Sequence, residues 1–591
     1  MPDDMPHFDN AGRLIAPQYD DVYFSAEDGL AETRHVFLEG NRLAERFAAM
    51  VPGEAFTIGE TGFGTGLNFL ATWQLFEQHA PADTRLSFFS IEGDPLDAAT
   101  VRRALSPWPE LSPYREALLQ QWGPLWRGTH YFRFANGRVR LSLSVDEITK
   151  PSASVRVAPV NAWFLDGFAP SRNPAMWNAQ VFEMVWAGSA SDATLATYTA
   201  AGHVRRGLIE AGFNIEKCPG FGMKRDMTVG WLEAPKINTR PMPRALVIGA
   251  SLAGSFTARA LAELGVAVTV IEKQQLHRGE LPSLAPRQAV LQPKISDAGH
   301  EPGSQLREAY ALIERMLSSD RAFAERAGWR RCGAFHAAVD TRTERRLRRF
   351  VDQFGPSGLC RWVEPPQTLD EAGVLLPVGG VAIDHAGVLR PAGLCMALLD
   401  HPLIKLRDGL EMTDLISTST GWAAACHNEI IEAEVAVVAN AINAARIPIL
   451  ASYSPRPVRG QATLLSAPDQ PGQLASIKRA VFYGGYITPL IDGVQTLGAS
   501  FVNGDRSLQW RDEEHTHVCD KLARLLPAEA ARLHKITDAK GWVGLRSVNG
   551  FVGETEEKLY VSLGHGSHGI ASAANAAEHI AHHVMAHVLI A

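Results

Sequence analysis

Short apolar runs, glycine-rich turns and helix-spaced apolar positions follow one another twice along the chain in the order strand, turn, helix, strand. In the first stretch residues 56–58 read as a strand, 60–66 (ETGFGTG) as a turn, 67–76 as a helix and 86–91 (LSFFSI) as a second strand. In the second, 244–248 (RALVI) is a strand, 249–254 (GASLAG) a turn, an alanine-rich helix follows, and 266–271 is the next strand. Further strands are predicted at 139–145, where apolar residues alternate, and at 162–165, an unbroken apolar run suited to a sheet covered on both faces. Two such openings predict two doubly wound α/β units. The segment 233–244 (EAPKINTRPMPR) has three prolines and no apolar period, so it reads as a linker. The units are expected at 1–235 and 244–591, with 236–243 between them.

Composition alters this picture little. Of 591 residues, 46% are hydrophobic and 20% charged, which supplies more than one globular core. A net charge of −7 argues against a protein that coats nucleic acid non-specifically, but not against a local basic patch. Candidates for phosphate contact are Arg205-Arg206, Lys224-Arg225 and 342–350 (RTERRLRRF), with five arginines among nine residues; a solvated charged face is the alternative for each. The six cysteines, Cys218, Cys332, Cys360, Cys395, Cys426 and Cys519, form no CxxC pair, so neither a disulfide framework nor a zinc site is expected. No run is apolar enough to span a bilayer, and the opening MPDDMPHFDN is acidic and polar. A cytoplasmic setting without a membrane partner is expected.

The candidate chemistry lies at strand ends, where ligands of open α/β sheets gather. Gly62, Gly64 and Gly66 alternate in the first turn and let the backbone approach a ligand closely. Glu60 ahead of them can accept hydrogen bonds from the amino-acid end of S-adenosylmethionine, and Glu92 from both ribose hydroxyls. Asp146, after 139–145, can reach the adenine amino group; a solvated turn aspartate is the other reading. Asp166 ends 162–165 and is followed by a loop containing Gly167, Pro170 and Pro174, with Phe168 and Trp177 as aromatic surface. A carboxylate there can hold an amine, aim its lone pair at a methyl sulfonium and take the proton, while the rings stack on an extruded base. A structural aspartate capping the turn is the alternative.

In the second turn Gly249 is the turn glycine, Gly254 the helix-packing glycine, and Glu272 is placed for a ribose hydroxyl; Ser251 stands where a dinucleotide fingerprint has its middle glycine. His579, His582 and His583 fall on a terminal amphipathic helix, and no metal is expected there.

Segments 20–43 (DDVYFSAEDGLAETRHVFLEGNRL), 59–70 (GETGFGTGLNFL), 163–177 (WFLDGFAPSRNPAMW) and 197–227 (TYTAAGHVRRGLIEAGFNIEKCPGFGMKRDM) resemble the bifunctional tRNA 5-methylaminomethyl-2-thiouridine biosynthesis family. The likeness covers the whole chain and thins after about residue 235. It implies a Rossmann-like S-adenosylmethionine methyltransferase domain followed by an FAD-binding, glycine/D-amino-acid oxidase-like oxidoreductase domain with a mixed α+β substrate subdomain. It implies S-adenosyl-L-methionine and FAD as cofactors, and a tRNA anticodon loop with its wobble uridine as partner. The back half would convert a carboxymethylaminomethyl uridine to the aminomethyl form, and the front half would methylate that amine. Glu60, Gly62, Gly64, Gly66 and Glu92 would hold the methyl donor, and Asp166 would face the amine.

In the back half 287–296 (RQAVLQPKIS), 458–465 (VRGQATLL), 483–489 (YGGYITP), 496–501 (TLGASF) and 541–547 (GWVGLRS) match as well, and by the resemblance Arg546 would pair with a glycine-like carboxylate. The stretch 564–584 resembles the closing element of flavin amine oxidases, where a glycine turn, here with Gly566 and Gly569, leads into a helix whose N-terminus faces the flavin. Four departures stand out: LPSLAP precedes Arg287 in place of a glycine-rich stretch, Ser251 replaces a glycine, YGGYITP lacks an Asp between its glycines, and VNGFVGE replaces Asp-x-x-Pro after Arg546. Two readings follow, a bifunctional enzyme or an active methyltransferase whose silent flavin-fold domain docks tRNA. The chain is expected to act as a monomer.

Overall fold

The computed structural model describes residues 5–24, 28–149, 159–233, 242–276, 286–296, 301–453, 455–466, 472–536 and 539–590. Most of the expected linker (236–241) and 281–285 of the LPSLAP stretch lie outside the described residues. The chain divides into two compact units, Met1–Pro241 with Met585–Ala591, and Met242–Val584.

The first unit is organised by an eight-stranded sheet. Its centre is β1 (Ala55–Glu60), parallel to its neighbours β2 (Arg85–Glu92) and, on the other side, β5 (Val160–Phe164). Beyond β2 lie β4 (Val139–Val145) and antiparallel β3 (Gly128–Phe134); beyond β5 lie β6 (Ser189–Thr197), then β8 (Asp226–Trp231) and β7 (Asn214–Pro219). The strand predicted at 56–58 is longer because Glu60 still pairs with Ser90 and Phe164. The helix predicted at 67–76 is α1, Leu67–His79; its residues 67–73 and Phe76 are all buried. Phe69 lies 5.3 Å from Phe88 ring to ring, and both are fully buried with Ile58 and Phe164. Each such side chain contributes roughly 1.5–3 kcal/mol. The run predicted at 162–165 is shifted two residues back at its start, to Val160, which pairs with Ser189.

The second unit has two larger sheets. One is a six-stranded, mainly parallel sheet. In it β9 (Arg244–Ile248) lies between β10 (Ala267–Glu272) and β13 (Val435–Val438), flanked by β12 (Ile404–Asp408) on one side and by β20 (Leu559–Ser562) and β19 (Val552–Glu556) on the other. Helix α2 (Leu252–Glu263) follows β9, as the apolar pattern predicts. The predicted strand 266–271 starts one residue later, since Val266 N bonds Leu261 O and closes the helix-to-strand turn. In the other, mixed sheet β11 (Ala334–Ala337), β15 (Ala480–Phe482), β16 (Tyr486–Ile487), β17 (Val494–Gly498) and β14 (Arg456–Ser466) are successive neighbours, and β18 (Lys540–Val548) pairs with β14. The basic run lies on α3 (Thr341–Phe354), which buries Leu347, Phe350 and Phe354 and leaves Arg342, Arg345, Arg346 and Arg349 exposed. The chain closes with α4, Gly569–Ile590.

Candidate active sites

In the first unit the glycine turn is shaped by its neighbours. Gly64 and Gly66 have φ of +52° and +80°, a region that disfavours side chains. A Cβ on Gly62 would stand 3.2 Å from the Asp166 carbonyl oxygen, so this turn rests on the one after β5. Glu92 clasps the turn from β2: its Oε2 accepts from Gly64 N at 2.8 Å and its Oε1 from Asp94 N at 2.9 Å. Each carboxylate oxygen retains a second lone pair, so ribose hydroxyls can still be received there. Burial raises the Glu92 pKa.

Glu60 sits deeper than Glu92. It is 0% exposed, with Oε2 taken by the Ser90 hydroxyl at 2.7 Å and Oε1 by the Asn68 amide at 2.9 Å. Burial, reinforced by Asp166, holds its pKa well above the carboxylate range. Glu60 therefore braces the turn from beneath, with both oxygens engaged by Ser90 and Asn68. The Asn68 Nδ2 also donates to Asp166 Oδ2 at 2.8 Å, and its Oδ1 accepts from Thr33 at 2.8 Å, which fixes the amide's orientation. Asn68, Ser90 and Thr33 were not legible as site residues, although Asn68 lies within the glycine-rich segment.

Asp166 sits half-buried just past the end of β5. Its Oδ1 accepts from Gly167 N at 2.8 Å, and its carbonyl from Thr61 Oγ1 at 2.6 Å. Burial pushes its pKa up to about 6; Glu32 adds to this and Lys224 opposes it. Phe168 stacks on Tyr19 at 4.5 Å and meets Tyr23 edge-on at 5.4 Å, while Tyr23 packs 3.3 Å from the place a Cβ on Gly64 would take. This aromatic group joins the turn to the Asp166 loop. Trp177, expected as surface, is only 4% exposed, and its Nε1 donates to Phe168 O at 2.9 Å. It is core and cannot stack on a base. The Asp146 carboxylate is also engaged, by Arg127 at 2.6 Å, so an adenine amino group would have to share it. The left-handed glycines, the Glu92 clasp and the half-buried Asp166 fit S-adenosylmethionine.

The second unit repeats the device. Glu272 Oε2 accepts from Ala250 N at 2.9 Å and Oε1 from Gln274 N at 3.1 Å, as Glu92 does in the first unit. Gly249 has φ +107°, and a Cβ on Gly254 would lie 1.8 Å from the Gly249 carbonyl oxygen. Ser251 is the exposed N-cap of α2 and makes no side-chain capping bond, so the helix end stays open toward an anion. Gly569, which opens α4, lies beside Leu252: its Cβ position is 3.9 Å from Leu252 Cδ1. Gly566 has φ +61°. The turn VNGFVGE is packed against this region: a Cβ on Gly564 would fall 2.1 Å from Gly550 N, and Val548 bridges His565. An open helix N-terminus, a glycine pair without room for side chains and the clasping Glu272 fit the pyrophosphate and ribose of FAD.

One face of the mixed sheet gathers aromatic rings and glycines around Arg546. Register places His336 beside Phe482, Phe482 beside Tyr486, and Tyr486 beside Gly498, with Gly460 opposite Gly544 two residues from Arg546. Glycines make the room: a Cβ on Gly498 would meet the Tyr486 ring at 2.7 Å, and one on Gly460 would meet Arg546 Nη1 at 1.8 Å. Arg546 lies 4.3 Å from the Phe501 ring and has only a long 3.4 Å contact to Ser500 O; burial lowers its pKa. Among the described residues no carboxylate pairs with it, so the cation is available for an anionic ligand. Nearby, Lys294 Nζ donates to His568 Nε2 at 2.7 Å, and His336 stacks on Phe482 at 4.5 Å. Burial holds His568 near 4 and His336 near 3, so both are neutral. Lys294, His336 and His568 were not singled out in the sequence. At the chain's end His583 does have an acidic neighbour, Glu554 at 3.7 Å, besides the Tyr560 hydroxyl at 3.2 Å.

Residues 109–233 match an S-adenosyl-L-methionine-dependent methyltransferase family, and 244–583 match FAD dependent oxidoreductases. A tRNA 5-methylaminomethyl-2-thiouridine biosynthesis bifunctional protein of Nitrosospira multiformis is 37% identical over 96% of this chain and 94% of its own. One of Pseudomonas aeruginosa is 40% identical over 89% of this chain and 81% of its own. Among solved structures, glycine oxidase from Bacillus cereus aligns at 21% identity over 57% of this chain and 95% of that one, with a TM-score of 0.47. A methyltransferase domain followed by an FAD oxidoreductase domain, at this identity over this length, makes the chain a member of the bifunctional tRNA 5-methylaminomethyl-2-thiouridine biosynthesis family.

Proposed function

We propose that the second unit converts 5-carboxymethylaminomethyl-2-thiouridine at a tRNA wobble position to the 5-aminomethyl form, and that the first methylates the amine so exposed. FAD, when bound, would accept the hydride from the carbon beside nitrogen, and S-adenosylmethionine would supply the electrophilic methyl group. Gly249, Gly254, Glu272, Gly566 and Gly569 would hold the flavin, and Gly62, Gly64, Gly66, Glu92 and Asp146 the methyl donor. Arg546 would pair with the substrate carboxylate through its forked N–H groups. Asp166, ionised above about pH 6, would orient the amine and take its proton as the N–C bond forms.

The observation that supports this reading most is the place of Asp166, a half-buried carboxylate tied through Asn68 to the floor of the glycine turn. No observation favours a silent second unit. We propose further that the chain works as a monomer in the cytoplasm. Its six cysteines are free, and no helix among the described residues is long and apolar enough to cross a membrane. Nucleosides from tRNA of cells carrying single variants test the scheme. Asp166→Asn should accumulate the aminomethyl nucleoside and Arg546→Ala the carboxymethylaminomethyl one; normal product from Asp166→Asn would overturn its role.

A further inference from the structure

A hairpin tip in the first unit puts a lysine ammonium among groups suited to a substrate amine. Residues 220–225 join β7 to β8 and fold on themselves through Gly220 N to Arg225 O at 3.1 Å and Lys224 N to Phe221 O at 3.0 Å. Lys224 Nζ donates to Glu32 Oε1 at 2.7 Å and lies 4.0 Å from the centre of the Tyr198 ring. The Tyr198 hydroxyl donates to Gly167 O at 2.8 Å, so the cation meets the ring face and not the oxygen. Asp166 feels both Glu32 and Lys224 electrostatically. An aromatic face and the Glu32 carboxylate around one ammonium suit a primary amine held as its ammonium, which must give one proton to Asp166 before its lone pair can attack the methyl group.

We infer that Tyr198 and Glu32 form the seat of the substrate aminomethyl group, and that the Lys224 ammonium fills this seat until tRNA arrives. The inference rests on the methyl-transfer reading of the site. Exposure and anchoring divide the three residues accordingly. The Lys224 side chain is 46% exposed at a hairpin tip, on a flexible stem, and can withdraw without moving the sheet. The Glu32 side chain is 12% exposed, on the short helix Gly29–Thr33 whose N-terminus is capped by Asp28 through Leu30 N and Ala31 N. Tyr198 is pinned at its hydroxyl and packed edge-on against Trp177 at 6.1 Å. Exchange of one ammonium for another leaves Glu32 paired throughout, so the swap avoids the cost of an isolated, nearly buried charge. The withdrawn lysine would be released beside the incoming nucleotide.

The test uses the full-length protein, tRNA bearing the aminomethyl nucleoside, and S-adenosylmethionine affinity measured in parallel. Glu32→Gln and Tyr198→Leu should raise KM for that tRNA by about tenfold or more, with donor affinity unchanged. Lys224→Met should lower KM or leave it unaltered. It should also become sensitive to methylammonium as an inhibitor competitive with tRNA, a sensitivity lost again in the Lys224→Met/Glu32→Gln double variant. Unchanged KM in Glu32→Gln, or a raised KM with a shallower salt dependence in Lys224→Met, would overturn the inference; the latter would make Lys224 a phosphate contact. Where Tyr198→Leu fails to fold, the Glu32→Gln and methylammonium results decide. Absence of any donor-dependent methylation by the unaltered protein would sink the underlying reading instead.

Discussion

The side-chain amide of Asn68 donates to the carboxylate of Asp166 at 2.8 Å, and the same nitrogen reaches Glu60 at 2.9 Å. One nitrogen thus sets the position of the expected proton acceptor and ties it to the strand under the glycine turn. Asn68→Ala removes a donor that lowers the Asp166 pKa, so that pKa should rise above about 6. A base must be ionised to act, so the acidic limb of the methyl-transfer pH–rate profile should move to higher pH. At pH 7 the rate should fall about tenfold to a hundredfold. An unmoved acidic limb would show that Asp166 is not the group titrating.

Asp166 itself should weaken the fold at neutral pH. Its folded pKa, about 6, lies above the ordinary aspartate value of 3.8, so the folded state binds the extra proton between those values. Stability from this group is therefore fully present below about pH 4 and declines as pH rises through 6, by up to about 3 kcal/mol. Asp166→Asn should raise the midpoint of thermal unfolding at pH 8 more than at pH 5 while abolishing methylation. Calorimetry at the two pH values checks the sign.

Gly254→Ala places a methyl group 1.8 Å from the Gly249 carbonyl oxygen, a distance no backbone tolerates without moving. The variant should lose bound flavin, seen as loss of the visible absorbance of the purified protein, at a cost of about 1–3 kcal/mol or more in stability. Donor binding by the first unit should persist. A Gly254→Ala protein that stays yellow would refute the pyrophosphate assignment.

Arg546→Lys keeps a positive charge but loses the planar fork. Oxidation of the carboxymethylaminomethyl nucleoside should drop by about a hundredfold, mostly in KM. Methylation of tRNA that already carries the aminomethyl group should be unaffected. Separate assays of the two steps on one preparation make the distinction.

Helix α3 tests the tRNA contact. Arg348 is occupied, bonded to Glu344 at 2.9 Å and lying 3.9 Å from the Trp362 ring. Arg342 and Arg345 are exposed on the helix's first turns. The double variant Arg342→Glu, Arg345→Glu should weaken tRNA binding and reduce the slope of log affinity against log salt by about 2. Equal affinity across salt would remove α3 from the interface.

Strand ends were legible where apolar runs stop at an acid: Glu92, Asp146, Asp166 and Glu272 all lie where the periodicity puts them. Which acids face a ligand was not legible, because that depends on neighbours distant in sequence. Glu60 and Glu92 look alike along the chain. One is sealed by Ser90 and Asn68, and the other holds a loop amide with lone pairs to spare. Trp177 read as surface for its place in a proline-rich loop, yet its ring closes the core beneath Phe168. Lys224 and Glu32, 192 positions apart, meet only because the hairpin tip returns over the short N-terminal helix.

The contact between Gly550 and Gly564 bears on how oxidation could keep its aim over evolutionary time. The loop leaving the Arg546 strand and the bend entering α4 touch main chain to main chain. No rotamer intervenes there to absorb a displacement, so a shift of the anion anchor would drag the cofactor's support along with it. A single methyl group at either glycine would pry the two segments apart.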